Sequence, residues 1–230
     1  MEPEEIRKMS EIEGSNWWFC GKRYLVRSHM KKGKVILDVG CGTGANLKSF
    51  SGAGIVVGTD LSMEALKFCR SRVINPLVKC SADRLPFKSG SIDTVTALDV
   101  LEHLDKDKKS MDEINRVLKL KGTLIATVPA HMFLWHRHDI LLHHKRRYSI
   151  NEFKTKLLSS GFDIKKVSYW NFTLFPLAAM YKFLNNDSDT NRMNPVINTI
   201  LYFLLTIDNI LIKMFRLPFG VSIFCVARKV

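Results

Sequence analysis

Apolar residues along the 230-residue chain fall into short unbroken runs separated by segments in which they recur every third or fourth position. "KVILDVG" (34–40) is an apolar run that stops at a glycine cluster, the pattern of a buried strand. "TGANLKSFSGAG" reads as a helix ended by Gly52 or Gly54, and "IVVGTD" (55–60) as a second strand. "SMEALKFCRSR" begins with a serine N-cap before helical apolar spacing. "LVKCSAD" (77–83) and "SIDTVTALDV" (91–100) are two further strands, the latter followed by a helix through Val117 and Leu118. "KGTLIATVPA" (121–130) is a fifth strand, opened by a glycine turn. "SINEFKTKLLSSGF" carries a capping box, Ser149 with Glu152 three residues on. "DIKKVSYW" and "VSIFCVARKV" complete seven strands. Strands alternating with helices predict a doubly wound α/β sheet that binds ligands at the carboxyl ends of its strands.

Two segments break the alternation. One is 131–148, between the fifth strand and its helix. The other is 171–219, whose "VINTILYFLLTIDNILIKMF" is apolar on nearly every side. Its length would cross a bilayer, but Asn198, Asp208, Asn209 and Lys213 interrupt it. A central Asp costs about 3 kcal/mol on insertion, which argues against a spanning helix. A helical cap is expected instead, packed on the sheet or meeting lipid or a lipid-tailed substrate. The flanking Arg192, Lys213 and Arg216 tip the reading toward lipid.

Composition changes the picture in two ways. A formal charge of +13 favours anionic partners, whether phosphorylated small molecules, nucleic acid or an anionic membrane. Five scattered cysteines with no C-x-x-C pair argue against a disulfide framework and a zinc knuckle. The chain opens with acidic and polar residues rather than a basic and apolar leader, so a cytoplasmic setting is expected.

"ILDVGCGTGANL" is the most informative stretch. Gly40, Gly42 and Gly44 allow a tight strand-to-helix turn and close approach of a ligand to bare backbone. The spacing is G-x-G-x-G, not the G-x-G-x-x-G of dehydrogenases, and an acid, Asp38, sits inside the preceding strand. That carboxylate suits a ligand with an ammonium group. Asp60 ends the second strand, where it can accept both hydrogen bonds of a ribose diol.

At these residues the chain resembles the class I S-adenosylmethionine-dependent methyltransferases, over roughly residues 16–170 and the last strand. The resemblance implies a mostly parallel, Rossmann-like seven-stranded sheet with helical cap insertions. Its parts would be an N-terminal helical cap over the cofactor (1–33), a core (34–170 and 220–230) and the apolar insertion (171–219). S-adenosylmethionine would be the cofactor and S-adenosylhomocysteine the product. Asp38 and Gly40, Cys41, Gly42 and Gly44 would hold the methionine end. Asp60 would bind the ribose, with Leu61 against the adenine. Asp83 would accept from the adenine amino group, and Arg84 or Leu85 would pack over the ring. Asp99 and Val100 would lie beside the transferable methyl. In "NWWFCGKRYLV", Trp17, Trp18 and Phe19 would exclude water and Arg23 would meet the cofactor carboxylate; an aromatic staple onto the core is the alternative for the tryptophans.

Asp99, Glu102 and His103 stand at i, i+3 and i+4, one face of a helix if a helix begins there. The pattern resembles the Glu-x-x-Glu-His of metal-binding quinone-precursor and small-RNA O-methyltransferases, with Asp in place of the first Glu. The chain is read without a metal, these three being the group that would hold one, and His103 as a pocket residue or base. In 131–148, the pattern P-A-x(4)-W-x-x-x-D-x(4)-H-x-R-R-Y resembles a subgroup of glycan- and lipid-modifying methyltransferases. Its matching positions are Trp135, Asp139, His144, Arg146, Arg147 and Tyr148. Asp139 can fix a histidine tautomer, His144 can then act as general base, and two arginines can grip a phosphate or carboxylate. Trp135, Arg146 and Arg147 are therefore substrate candidates, and His144, His103, Asp139 and Tyr148 catalytic ones. A solvated basic loop is the bland alternative.

The expected reaction is methyl transfer to an oxygen of a small or lipid-linked anionic acceptor, with peripheral membrane contact through 171–219. Absence of N/D-P-P-Y/F and of Pro-Cys disfavours exocyclic base amines and cytosine carbon as acceptors. Two rivals are an RNA 2′-O-methyltransferase, nucleic acid ranking behind small molecules as a partner, and a non-catalytic cofactor-binding subunit.

Overall fold

The computed structural model describes residues 3–31, 33, 35–184 and 194–230. Arg192, one of the cations flanking the apolar insertion, lies outside the described residues, as does Lys34 at the start of the first predicted strand.

Seven strands form one sheet: β1 (Val35–Val39), β2 (Ile55–Asp60), β3 (Leu77–Lys79), β4 (Ile92–Leu98), β5 (Leu118–Pro129), β6 (Phe162–Trp170) and β7 (Ser222–Lys229). Their order is β3-β2-β1-β4-β5-β7-β6. The first five pair in parallel, and β7 runs antiparallel between β5 and β6. Helices α1 (Pro3–Ile12) and α2 (Trp17–His29) precede the sheet. Helices α3 (Ala45–Phe50), α4 (Met63–Arg72), α5 (Asp107–Val117), α6 (Arg137–Leu141) and α7 (Ile150–Ser159) connect the strands. Helices α8 (Phe175–Leu184) and α9 (Pro195–Met214) fill the segment between β6 and β7.

The period-2 geometry of a strand divides the core into two clusters, one on each face of the sheet. Leu37 and Val39 point to one face and pack with Ile114 of α5 and Phe153 and Leu157 of α7. Ile36 points to the other, among Leu25 of α2, Phe50 of α3, Leu66 of α4 and Leu205 of α9. Both serine caps form as the sequence predicts: Ser62 accepts from Ala65 N at 3.2 Å and Ser149 from Glu152 N at 3.2 Å. Where α2 packs on α9, Gly21 leaves room for the Leu205 side chain, since a Cβ there would come 2.3 Å from Leu205 Cδ2.

Three expectations are corrected. β3 ends at Lys79, leaving Ser81–Leu85 as loop. The glycine turn at Lys121–Gly122 lies inside β5 as an irregularity, with Lys121 at φ +63° and the β4–β5 register shifting beside it. No helix begins at Asp99. That residue is at φ +53°, a 3₁₀ turn covers Leu101–His103, and α5 starts only at Asp107. Asp99, Glu102 and His103 therefore do not share one helical face.

Candidate active site

The carboxyl ends of β1, β2, β4 and β5 open onto one mouth. Gly40, Gly42 and Gly44 turn the chain from β1 into α3, all at positive φ. A Cβ on Gly40 would come 2.5 Å from Val100 Cγ2, so only bare backbone fits between β1 and Val100. Cys41 is buried at this turn, its N–H donating to Thr59 O at 2.8 Å. Asp38 is fully buried; its Oδ1 accepts from Thr96 Oγ1 at 2.5 Å, while Oδ2 has no hydrogen-bond partner. Burial pushes the Asp38 carboxyl up to about 7, against hydrogen bonds from Thr96 and Asn46. Asp60 braces the loop, Oδ2 accepting from Gly42 N at 2.9 Å and Oδ1 from Ser62 N at 2.8 Å. Each oxygen keeps a further lone pair for a ligand. Leu61 beside it is exposed. Further out, Asp83 takes hydrogen bonds from Ser81 Oγ (2.6 Å) and Lys109 Nζ (3.0 Å). Arg84 is exposed, and Leu85 is turned into the core rather than toward the mouth.

The N-terminal helices close over this loop. Glu13 accepts from Thr43 and pairs with Arg72, which also donates to Ser10 O. Arg23 donates to Gly14 O and Cys20 Sγ. It lines a cleft of about 480 Å³ together with Gly44, Lys48 and Arg72. Trp17 and Trp18 take the second of the two places the sequence left open, the staple onto the core: the Trp17 N–H donates to Asn198 Oδ1 of α9 at 2.9 Å, its ring meets Trp18, and Trp18 packs on Trp170. Phe19 is half-buried, with Lys22 Nζ 5.4 Å from its ring centre. Lys22 is the residue that sequence reasoning missed. Buried on α2, it reaches Asp99 Oδ2 at 2.5 Å, and Thr127 Oγ1 donates to Asp99 Oδ1 at 2.8 Å. Burial alone would raise the Asp99 carboxyl; Lys22 and Thr127 outweigh it and hold it below its ordinary value. The available signal was a lysine four residues after Trp18, on the stripe that Leu25 and Val26 continue into the core.

Past β4 and β5 lies a second group. Asp139 is completely buried and receives His144 Nδ1 (2.8 Å), His136 Nδ1 (2.9 Å) and Arg147 through Nε (2.8 Å) and Nη2 (2.9 Å). Burial would raise its carboxyl, yet the hydrogen bonds from His144 and Arg147 hold it well below the usual carboxylate range. The His144 ring meets His103 edge-on at 4.7 Å. Burial and the adjacent His144 pull the His103 imidazole down to about 4, so it is neutral near pH 7. Glu102 is wholly buried, neither carboxylate oxygen has a hydrogen-bond partner, and burial with the nearby Asp99 raises its carboxyl well above the ordinary range. One ligand atom from each of Glu102, His103 and His144 falls within 4.8 Å of the others, so the set that could hold a metal includes His144 in place of Asp99.

The basic end of this segment differs from expectation. Arg147 is buried in its bidentate pair with Asp139 and donates to Ala130 O at 3.2 Å, which leaves it no free face for a phosphate. Arg146 binds Asp105 O and Asp107. The two arginines therefore form no common clamp. Tyr148 points into the core, its hydroxyl donating to Asp107 Oδ2 at 2.8 Å, and burial raises its phenol well above the usual value. Trp135 is half-buried, just after a 3₁₀ turn.

Residues 37–126 match the family model described as a methyltransferase domain. Residues 37–126 are thus similar to methyltransferase domains, and the seven-stranded sheet that contains them has the Rossmann-like class I methyltransferase fold. S-adenosylmethionine is the cofactor that the sequence motifs of such a domain imply. The domain is 38% identical over 108 residues to an uncharacterized protein of Methanocaldococcus jannaschii, covering 46% of this chain and 41% of that one. It is also 33% identical over 102 residues to a plant protein.

 That relative is the tRNA (carboxymethyluridine(34)-5-O)-methyltransferase of Arabidopsis thaliana, and the match covers 43% of this chain and 25% of that one. The chain spans about half the length, or less, of the curated relatives it matches first. Among solved structures, a Haloferax volcanii methyltransferase in complex with the Trm112 methyltransferase activator superposes with a TM-score of 0.67. At 19% identity, over 98% of this chain and 93% of that one, this likeness shows the fold.

The methyltransferase loop fits the cofactor on its own geometry. Asp38 Oδ2 is a buried acceptor without a partner, which an ammonium group would satisfy, and the glycine turn leaves backbone bare beside it.

Proposed function

We propose that the protein transfers the methyl group of S-adenosylmethionine to an oxygen of a small or lipid-linked anionic acceptor, on the cytoplasmic side. The observation that carries this reading is the Asp139–His144 pair beside the cofactor end of the sheet. With Nδ1–H of His144 donated to a buried carboxylate, Nε2 is the atom left to take a proton from an acceptor hydroxyl. Bound cofactor supplies an electrophilic methyl with its own leaving group. The chain then has three tasks: to place the acceptor in line, to remove its proton and to exclude water. Asp38, Asp60 and the glycine turn would hold the cofactor, and His144 would take the proton. With Arg146 and Arg147 bound internally, the anionic character of the acceptor rests on the charge of +13 and on exposed cations such as Lys145 beside the mouth.

One observation favours a second reading. A buried Glu102 without hydrogen bonds, next to His103 and His144, could hold a divalent cation, whose chemistry would be to polarise an acceptor hydroxyl. That would suit an RNA 2′-hydroxyl. Methyl-labelled cofactor added with the protein to a cell lysate separates the readings, with Asp60→Ala as blank. Label extracted into organic solvent or small aqueous products, and insensitive to chelator, supports the first. Label in RNA that chelator abolishes and manganese restores supports the second. No label above the blank overturns both.

A further inference from the structure

Helix α9 is built inside out. Of the four polar residues that interrupt its sequence, Asn198, Asp208 and Asn209 bind inward and Lys213 stays exposed. Asn198 accepts from Trp17 N at 2.9 Å and donates to Ser15 O at 3.0 Å. Asp208 accepts from the Thr173 backbone N–H and hydroxyl. Asn209 accepts from Trp170 Nε1 at 2.9 Å and donates to Gly21 O at 3.0 Å. The apolar residues face out: Val196, Ile200, Phe203, Ile210 and Met214 are each at least half exposed and recur at helical spacing along one side. An ordinary surface helix has the reverse arrangement.

We infer that this outer face of α9 seats the protein on an anionic lipid surface, the helix lying flat along it. Three observations choose lipid over another protein helix. At about 100° per residue, Val196, Ile197, Ile200, Phe203, Ile210 and Met214 spread over an arc of roughly 140°, wider than a two-helix seam. Such a seam is flanked by charges, whereas from Pro195 to Ile212 the only charged residue is Asp208, which is buried. At the carboxyl end of the helix stand Lys213 and Arg216, with Lys166 of β6 donating to Lys213 O at 3.0 Å, and none of the three has a carboxylate paired to it among the described residues; burial first, and then the Arg216 charge, hold Lys166 below its ordinary value. Cations bordering a broad apolar face complement anionic headgroups. By length and composition α9 could cross a membrane, but its inward hydrogen bonds fasten it to α2 and β6. Helix α8, which precedes α9 in the same insertion, begins beside 131–148, where Phe175 meets His131 and Phe133.

The inference deepens the lipid-linked reading of the acceptor, but its test is separate from methyl transfer, so either can fail alone. The full protein is floated with vesicles of phosphatidylcholine alone and of phosphatidylcholine with phosphatidylglycerol, and its mass in solution is measured by sedimentation. Binding to the anionic vesicles is expected, and the double variant Ile200→Glu, Phe203→Glu should weaken it at least about tenfold without lowering Tm. Lys213→Glu should weaken it about fivefold or more, and added salt should act in the same direction. Equal partition of the parent and the double variant, or no vesicle binding, overturns the inference. So does a dimer that the double variant dissociates.

Discussion

The glycine loop and the 131–148 segment use buried carboxylates in opposite ways. On the loop, Asp38 keeps one oxygen without a partner and Asp60 accepts a single backbone bond at each oxygen. These groups are arranged around a place for something else. In 131–148, Asp139 has both oxygens filled by His144, His136 and Arg147, and Arg146 and Tyr148 are bound through Asp107. Here the charged groups hold one another. The loop is therefore shaped to take a ligand, while the segment is shaped to hold one imidazole, that of His144, in a fixed orientation.

Substitutions can break this contrast. The largest effect is expected for Asp139→Ala, which leaves Arg147 buried and unpaired. It should cost about 3–5 kcal/mol of unfolding free energy, measured by denaturant titration. If stability changes by less than about 1 kcal/mol, the segment is not the self-supporting unit described. His144→Ala should lower kcat a few hundredfold, roughly, while cofactor affinity by calorimetry stays at the parent value. Asp60→Ala should act in reverse, weakening the cofactor about a hundredfold by removing charged hydrogen bonds from loop and ligand together. The smallest effect is a pH dependence. The Asp38 carboxyl, pushed up to about 7, is neutral below that pH and charged above it. A ligand ammonium prefers the charged form, so cofactor affinity should rise about tenfold from pH 6 to pH 8. A flat profile would remove Asp38 from the binding role.

The same contrast explains what could be read from the chain. Strand and helix alternation and both serine caps were legible because each is a local rule of spacing. The loop was legible because its backbone, at positive φ, asks for glycine. Side-chain directions in 131–148 were not. Tyr148 bridges to Ala130 beside the end of β5 and Arg147 binds Asp139 and Ala130 O, so both are drawn inward by partners at least eight residues away in sequence, against a motif that suggests outward reach. Leu85 was misplaced for a related reason: a large apolar residue near a pocket motif can as well serve the core, the alternative that the sequence left open for Trp17. Lys22 escaped because its partner Asp99 is 77 residues away in sequence. The outer face of α9 was hidden by uniform apolarity, since only the inward hydrogen bonds of Asp208 and Asn209 tell its two sides apart.

The position of β7 bears on how the protein is made. It leaves the ribosome after every other strand, yet its place is between β5 and β6, to which it bonds along its whole length. Until Ser222–Lys229 has been released, the nascent chain therefore carries two open strand edges, on β5 and on β6. The final strand closes the sheet like the last stave of a barrel, and a chain halted just short of it would be a candidate for chaperone capture rather than a slightly weakened enzyme.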